Sequence, residues 1–206
     1  MFARITWGQV AVDRLDDVAT TLRPAIDSLT HLDGYLGIAV LANRTTGAAA
    51  VIAYWDSLEA MQASESAAST ARAMVRGGPV LEVKEVDRFE FVLQDRVAPP
   101  MANTFVRVTD ARAAPEKLDD MVTFVRGRVM PVMKAQSGFR AASVVVNRET
   151  GRFLAATVWN TAADREASEA AVAPLREEGR EIGAAPSTSV ERYEAILVEI
   201  KQAATV

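Results

Sequence analysis

The sequence predicts an α+β protein: two tandem ferredoxin-like (βαββαβ) repeats packed sheet to sheet as a pseudo-dimeric α+β barrel. Two observations lead to this prediction. The chain matches itself at an offset of 103 or 104 positions, and each copy has the element order strand, helix, strand, strand, helix, strand. Solenoid repeats have periods of roughly 20 to 50 residues, so the longer offset indicates duplication of a whole small domain.

The self-match extends along the whole chain. The matched pairs include Arg4 and Arg107, Asn43 and Asn147, Trp55 and Trp159, Ser64 and Ser168, and Glu90 and Glu194. The offset changes once, just before Gly34 and Gly138, so the second copy contains one inserted residue. We place the first repeat at 1–94, a linker containing Pro99-Pro100 at 95–103, and the second repeat at 104–201.

The first half of repeat one reads as a strand followed by a helix. Residues 2–7 alternate between apolar and polar side chains, the period of a strand. From Leu15 to Leu29, apolar residues recur every three or four positions, which predicts an amphipathic helix. Pro24 falls inside this pattern and is expected to bend the helix.

The second half of repeat one begins with two strands, 35–41 and 49–55, joined by a turn whose Asn43 and Gly47 favour positive φ. A capping-box pattern then starts a helix that should run from 57 to about 75. A last strand follows at 80–93. The equivalent strands of repeat two are predicted near 104–109, 138–146, 152–159 and 189–199, with helices near 115–135 and 162–182.

One such repeat would form a four-stranded antiparallel sheet with both helices on one face. The other face must be buried, and the second copy can bury it within the same chain. We therefore expect a monomer, in effect an internal pseudo-dimer, or at most a weak homodimer.

The composition excludes several function classes. The 206 residues carry a net charge of −4, with no basic cluster, so neither nucleic acid nor a membrane is expected as a partner. There is no cysteine and a single histidine, His31, so no metal site or other cofactor is predicted. The N-terminus does not resemble a signal peptide, and a cytoplasmic location is expected.

Two arginines fall on strands that should be buried. Arg4 and Arg107 occupy the first strand of each copy, and a buried arginine needs a carboxylate. Glu90 and Glu194, on last strands expected to lie beside the first, are the predicted partners. A role in orienting a substrate and a surface position are the alternatives.

Motifs in both halves resemble a known family. A glycine, Gly34 or Gly138, precedes the second strand, and the third strand ends in Trp55 or Trp159, followed by a polar residue and then Ser or Thr. The chain thereby resembles the dimeric α+β barrel superfamily, and specifically the antibiotic biosynthesis monooxygenase type of domain.

This resemblance implies oxidation of aromatic polyketides without metal or flavin, in a cavity between the sheet and its helices that the tryptophan lines. The family's polar partner residues are replaced by Val51 and Ala155, and its tyrosine by Met61 and Arg165. Haem-degrading members need a histidine on the second helix. His31 lies before the second strand, so haem cleavage is not expected.

The resemblance and the strand positions together give a set of candidate residues for substrate binding, while the catalytic residues stay unknown. The candidates are Arg4, Thr6, Val51, Trp55, Met61, Arg107 and Trp159. Packing anchors are the alternative interpretation of both tryptophans. Repeat one, which has more aromatic residues and small residues on its second helix, is favoured as the working site.

Two functions follow as alternatives. The first is a cofactor-independent monooxygenase acting on a phenolic or quinol-type aromatic molecule. The second is a non-catalytic α+β barrel that binds a small aromatic or apolar ligand or is associated with stress. The lack of an obvious general base weakens the first interpretation.

Overall fold

The computed structural model describes residues 1–75, 81–183 and 188–201. The strands are β1 Phe2–Gln9, β2 Tyr35–Ala42, β3 Ala48–Trp55, β4 Glu82–Arg96, β5 Thr104–Arg112, β6 Phe139–Asn147, β7 Arg152–Trp159 and β8 Thr188–Ile200. The α-helices are α1 Val18–Asp27, α2 Leu58–Ala63, α3 Glu65–Val75, α4 Leu118–Phe124, α5 Met130–Lys134, α6 Ala162–Ala167 and α7 Glu169–Ile182. Within the described ranges no helix is long and apolar enough to cross a membrane.

The strands form one closed sheet in the order β1-β3-β2-β8-β5-β7-β6-β4. The pairs β1–β3, β2–β3, β2–β8, β4–β6, β5–β7 and β6–β7 are antiparallel. The predicted α+β barrel built from two tandem repeats in one chain is therefore confirmed.

The chain divides into two compact units, and two strands belong to both. The first unit contains Met1–Phe89, Pro100–Asn103 and Tyr193–Thr205, and the second contains Glu90–Pro99 and Thr104–Arg192. β4 and β8 are thus each divided between the units. The limits that we assigned to the repeats and the linker follow the sequence match and stay a prediction.

In the first unit, the core lies between the sheet and its helices. Leu15, Val18, Leu22 and Ile26 are buried there, as the helical spacing predicts. The second unit repeats this arrangement with more methionine, since Met121, Met130 and Met133 are buried at the corresponding helix.

The second predicted helix of each repeat is two helices. Ser57 caps α2 by accepting a hydrogen bond from the backbone N–H of Ala60, which confirms the expected start. The helix is interrupted at Ser64, whose hydroxyl donates to the carbonyl oxygen of Met61. Ser168 interrupts the equivalent helix of repeat two in the same way, through the carbonyl oxygen of Arg165.

The inserted residue of repeat two is absorbed by a π turn, Val125–Val129, between α4 and α5. The backbone N–H of Met130 donates to the carbonyl oxygen of Val125, five residues earlier, where an α-helix would use four. In repeat one the equivalent buried residues, Leu22 and Ile26, are four positions apart in a continuous α-helix. The extra residue therefore bulges outward and leaves the core register intact.

The glycines before the second strands have a steric cause. Gly34 and Gly138 both have φ of +72°. A Cβ atom at Gly34 would lie 2.4 Å from the side chain of Asp56, and one at Gly138 would lie 2.2 Å from that of Asp164. Any other residue would be strained and would clash, which explains why both copies have glycine here.

Candidate functional site

Each unit contains a cavity between its sheet and its helices. The first has a volume of about 60 Å³ and is lined by Arg4, Thr6, Leu22, Ala25, Ile26, Leu29, Ile38, Val51, Ala53, Ala68, Ala71, Arg72, Leu81 and Val83. Its wall is almost entirely apolar. The polar side chains on it come from β1 and from α3.

The cavity of the second unit is larger, about 80 Å³. Its lining includes Arg107 and Thr109 from β5, Met121, Phe124, Val125, Val129, Met130 and Met133 from the first helical stretch, and Leu175, Arg176, Gly179 and Arg180 from α7. The π turn borders this cavity, and the first cavity has a continuous α-helix in that place. Repeat two thus has the larger cavity, and the preference for repeat one as the working site stays a prediction.

Arg4 is held by the break between α2 and α3. Its guanidinium donates to Ser64 Oγ at 3.1 Å and to the carbonyl oxygen of Met61. Its Nη2 also lies 3.1 Å from a carboxylate oxygen of Glu65. The residue is only 2% exposed, and the break between the two helices is what provides these acceptors.

Arg107 makes the equivalent contacts in repeat two. It donates to Ser168 Oγ at 2.9 Å, to the carbonyl oxygen of Arg165 at 3.1 Å and to Glu169 at 3.0 Å. Each arginine also lies against the tryptophan of its own unit, with the guanidinium carbon 5.7 Å from the ring centre of Trp55 in the first and 5.6 Å from that of Trp159 in the second.

One carboxylate serves several guanidiniums in each unit. Glu65 contacts Arg4, Arg72 and Arg88. Burial alone would raise the pKa of Glu65, but hydrogen bonds from Arg88 and Arg72 and the charge of Arg4 outweigh it and hold the pKa below its ordinary value. The pKa of Glu169 is likewise below its ordinary value, because a hydrogen bond from Arg176 lowers it.

Burial also has the largest effect on the pKa of the two buried arginines. It lowers the pKa of Arg4 and that of Arg107, and the neighbouring glutamate opposes the effect in each case. An arginine stays charged through any such shift, so each cavity has a permanent cation in its wall.

The carboxylate partners predicted for Arg4 and Arg107 were wrong. Beyond Phe89, β4 pairs with β6, so Glu90 lies opposite Val146 and binds Arg148 at 2.9 Å instead of Arg4. Glu194, which lies opposite Ala42 in the β2–β8 pair, binds Arg44 at 3.2 Å instead of Arg107.

The repeated Asn-Arg pairs have two separate tasks. Asn43 accepts hydrogen bonds from the backbone N–H groups of Thr45 and Thr46, as turn chemistry predicts. The task of Arg44, an ion-pair link to Asp16 and to the last strand, was missed. The same arginine recurs in the second copy as Arg148, and this repetition could have indicated the role.

The candidate residues are divided by the structure. Arg4, Thr6 and Val51 line the first cavity, and Arg107 lines the second. Trp55, Met61 and Trp159 are each 0% exposed and do not line these cavities. The tryptophans pack edge to face against Tyr35 and Phe139, so packing explains them in this conformation.

Three buried donors among the described residues have no hydrogen-bond partner: Arg4 Nε, Trp55 Nε1 and Arg176 Nε. Arg4 lines the first cavity and Arg176 the second. Sequence reasoning missed the arginines of α3 and α7, although Arg72 and Arg176 match between the copies at seven residues after Glu65 and Glu169.

The side chains that line the cavities offer few kinds of reactive group. In the parts of the chain that the structure describes, neither lining includes a carboxylate, a histidine or a tyrosine. A ligand would therefore meet apolar side chains, hydroxyl groups and arginine donors, but no group suited to accept a proton at neutral pH.

The chain matches no protein-family model. Two uncharacterized proteins of Mycobacterium tuberculosis are similar in sequence. One is 26% identical over 166 residues, covering 78% of this chain and 72% of its own length. The other is 28% identical over 128 residues, covering 61% of this chain and 52% of its own length.

Solved structures show the fold more clearly. An anthrone oxidase-like protein matches with a TM-score of 0.74 at 11% identity, covering 98% of this chain and 94% of its own. A Listeria monocytogenes ferredoxin-fold protein related to antibiotic biosynthesis monooxygenases matches with a TM-score of 0.57 at 9% identity, covering 94% of each chain. A heme-degrading enzyme of the same species matches with a TM-score of 0.56 at 11% identity, covering 94% of this chain and 99% of its own. The chain thus has the ferredoxin-like fold of the antibiotic biosynthesis monooxygenase type.

Proposed function

We propose that this chain binds small, mainly apolar molecules in the cavities between the sheet and the helices of its two units. The observation that carries the proposal is an apolar cavity in each unit whose lining includes an arginine with a buried, unpartnered Nε, Arg4 in the first and Arg176 in the second. A buried N–H without an acceptor costs about 1–3 kcal/mol, and an acceptor oxygen on a ligand would recover that cost. Binding is favoured over catalysis because the linings offer no general base.

The cavity volumes limit the size of the ligand. An apolar cavity of about 150 Å³ is known to take up benzene, and both cavities are smaller than that as they stand. A ligand with one ring therefore requires side chains to move. Met121, Met130 and Met133 are unbranched and can do so at low cost, which favours the second cavity.

The test uses variants that fill one cavity at a time. Ala71→Leu introduces into the first cavity the residue that repeat two has there, Leu175, and Ala155→Leu narrows the second. Ala73→Leu, on the exposed face of α3, is the matched control. Binding of indole, benzyl alcohol and similar compounds would be followed by calorimetry and by tryptophan fluorescence.

We expect saturable binding that at least one filling variant weakens and that Ala73→Leu leaves unchanged. Thermal unfolding of each variant checks that it is folded. An absence of binding across the panel, or binding that neither filling variant affects, would contradict the proposal.

A second candidate is cofactor-free oxygenation of an acidic phenol. The likeness to an anthrone oxidase-like protein over nearly the whole length of both chains favours it. Arg4 or Arg107 would stabilise the phenolate, whose electrons reduce O₂, so that one oxygen atom enters the substrate and the other leaves as water. Because the protein supplies no evident base, the substrate would have to ionise by itself.

This candidate is tested by oxygen uptake with anthrone and hydroquinone substrates. We expect uptake above the protein-free rate that is lost in an Arg4→Met, Arg107→Met double variant. Uptake that persists in the folded double variant would remove the arginines from the reaction, and uptake no faster than without protein would exclude the activity for these substrates.

A further inference from the structure

The second cavity combines an apolar interior with a surplus of positive charge in its wall. We propose that it binds an apolar molecule ending in a carboxylate or a similar anionic oxygen group. This inference rests on the proposed ligand-binding function and specifies the ligand and the cavity that takes it.

The charge surplus follows from the ion pairs. Arg107, Arg176 and Arg180 line the cavity, and the lining includes no carboxylate within the described residues. Arg180 is paired with Glu177, so the surplus comes from Arg107 and Arg176. Glu169 lies 3.0 Å from Arg107 and 2.9 Å from Arg176, so a single negative charge serves the buried guanidinium of Arg107 and the half-buried one of Arg176. An anionic head group would supply the missing charge where water is largely excluded.

The helix α7 presents the two kinds of surface side by side. Val172, Leu175 and Gly179 follow one another at three and four residues and form an apolar stripe toward the cavity. Arg176 and Arg180, four residues apart, form a parallel stripe next to it. A ligand lying along this helix would therefore meet apolar surface along its body and cations at one end.

Arg176 is the residue best placed to receive the head group. Its Nη1 and Nη2 donate to Glu169 at 2.9 and 3.2 Å, while its Nε is buried and has no partner among the described residues. A carboxylate oxygen at that Nε would make a charge-assisted hydrogen bond, which is stronger than a bond to a neutral acceptor.

The apolar part of the ligand would lie against the methionines and the π turn. Met121, Met130 and Met133 belong to the second cavity, while the equivalent residues near the first are the branched Val18, Ile26 and Leu29. Flexible thioether side chains adapt to a chain or a ring more readily than branched ones. The second cavity is therefore the one suited to an amphiphile.

The whole protein would not attract anions by itself, because its net charge is −4. Long-range attraction favours cations, so a preference for an anion has to arise from the site. A comparison of the affinity for an acid with that for the corresponding alcohol therefore tests the site itself.

The experiment measures the binding of hexanoate and benzoate beside hexanol and benzyl alcohol by calorimetry at neutral pH. We expect each carboxylate to bind about tenfold tighter or more than its neutral counterpart, as one charge-assisted hydrogen bond would give. Ala155→Leu should weaken both kinds of ligand. Arg176→Met should abolish the preference for the acid while the alcohols still bind.

The controls separate charge from folding. Arg112→Met removes an exposed arginine from β5 and should leave both affinities unchanged. Arg176→Lys keeps the charge and should retain part of the preference, and Arg180→Met tests the second cation if Arg176→Met does not fold.

Equal affinity for acids and alcohols would overturn this inference and leave the proposed function standing. Binding of neither kind would remove both. A preference for the acid that survives both Arg176→Met and Arg180→Met, or that Ala155→Leu does not affect, would place the anion site elsewhere and contradict the assignment.

Discussion

Met130 donates its backbone N–H to the carbonyl oxygen of Val125, five residues earlier, and this bond marks the point where the two repeats differ in length. Val125 and Met130 both line the second cavity. The insertion is therefore a feature of the candidate site as well as of the helix.

Deletion of Gly127 should convert the π turn into α-helix and shrink the second cavity toward the volume of the first. A Cβ atom at Gly127 would meet nothing within 4 Å, so the residue can be removed without loss of packing. Pro131 would then stand deeper in a regular helix at a cost of up to about 3 kcal/mol, and the deletion should also be made with Pro131→Ala. A crystal structure and ligand titration check the outcome.

Gly127→Ala is the control for that deletion, because it keeps the length and should preserve both the π turn and ligand binding. A deletion variant that folds with an unchanged second cavity would show that the inserted residue does not set the cavity's size.

Ala53→Thr should stabilise the protein by about 1 kcal/mol. Trp159 donates its Nε1–H to Thr157 Oγ1 at 3.0 Å, whereas Trp55 has Ala53 in the equivalent place and its Nε1 is buried without a partner. Ala53 borders the first cavity, so a hydroxyl and a methyl group have room. Urea denaturation measures the free energy of unfolding. Ala53→Val, which adds similar volume but no acceptor, should not give the same gain.

Glu65→Gln and Glu169→Gln should destabilise the protein at neutral pH and have less effect in acid. The pKa of each glutamate is held below its ordinary value of 4.5 in the folded state, mainly through hydrogen bonds from arginines. Their contribution to stability is therefore present above that value and is lost as the pH falls through the folded pKa. Thermal unfolding from pH 3 to 7 measures the difference.

Glu177→Gln is the matched control for these two variants. Glu177 is exposed and pairs with Arg180, and an ion pair with an exposed carboxylate contributes little. A loss of stability equal to that of Glu65→Gln would show that burial of the arginine is not what makes the glutamates important.

A fragment ending at residue 94 should not fold stably by itself. The first unit includes Tyr193–Thr205, and β2 would lose its pairing with β8. We expect the fragments 1–94 and 95–206 to gain circular dichroism signal only when mixed, and the intact chain to scatter light as a 22.2 kDa monomer. A cooperative unfolding transition in either isolated fragment, or an obligate larger assembly of the intact chain, would contradict this.

The sequence was sufficient for the fold because duplication supplies two independent records of one pattern. Gly34 and Gly138, Trp55 and Trp159, and the capping residues Ser57 and Thr161 agree with the structure at equivalent places. A pattern that occurs twice in a chain is less open to misinterpretation than a single occurrence.

The site was predicted only in part, since pairing across a sheet depends on where a strand stops. Arg4 and Arg107 were identified correctly as buried residues, but from Glu90 onward β4 pairs with β6, so Glu90 does not reach Arg4. The true partner, Glu65, follows a helix break at Ser64 that hydrophobic spacing does not reveal. The family resemblance placed Trp55 at the cavity wall, but in the structure Trp55 is fully buried by its neighbours and does not line the cavity.

The π turn gives the fused gene a freedom that a gene for a homodimer does not have. A codon inserted into the latter would appear in both subunits and would alter both cavities together. In this chain the inserted residue occupies repeat two alone, and α1 of repeat one keeps its continuous helix. Selection can therefore reshape one cavity while the other keeps its own geometry.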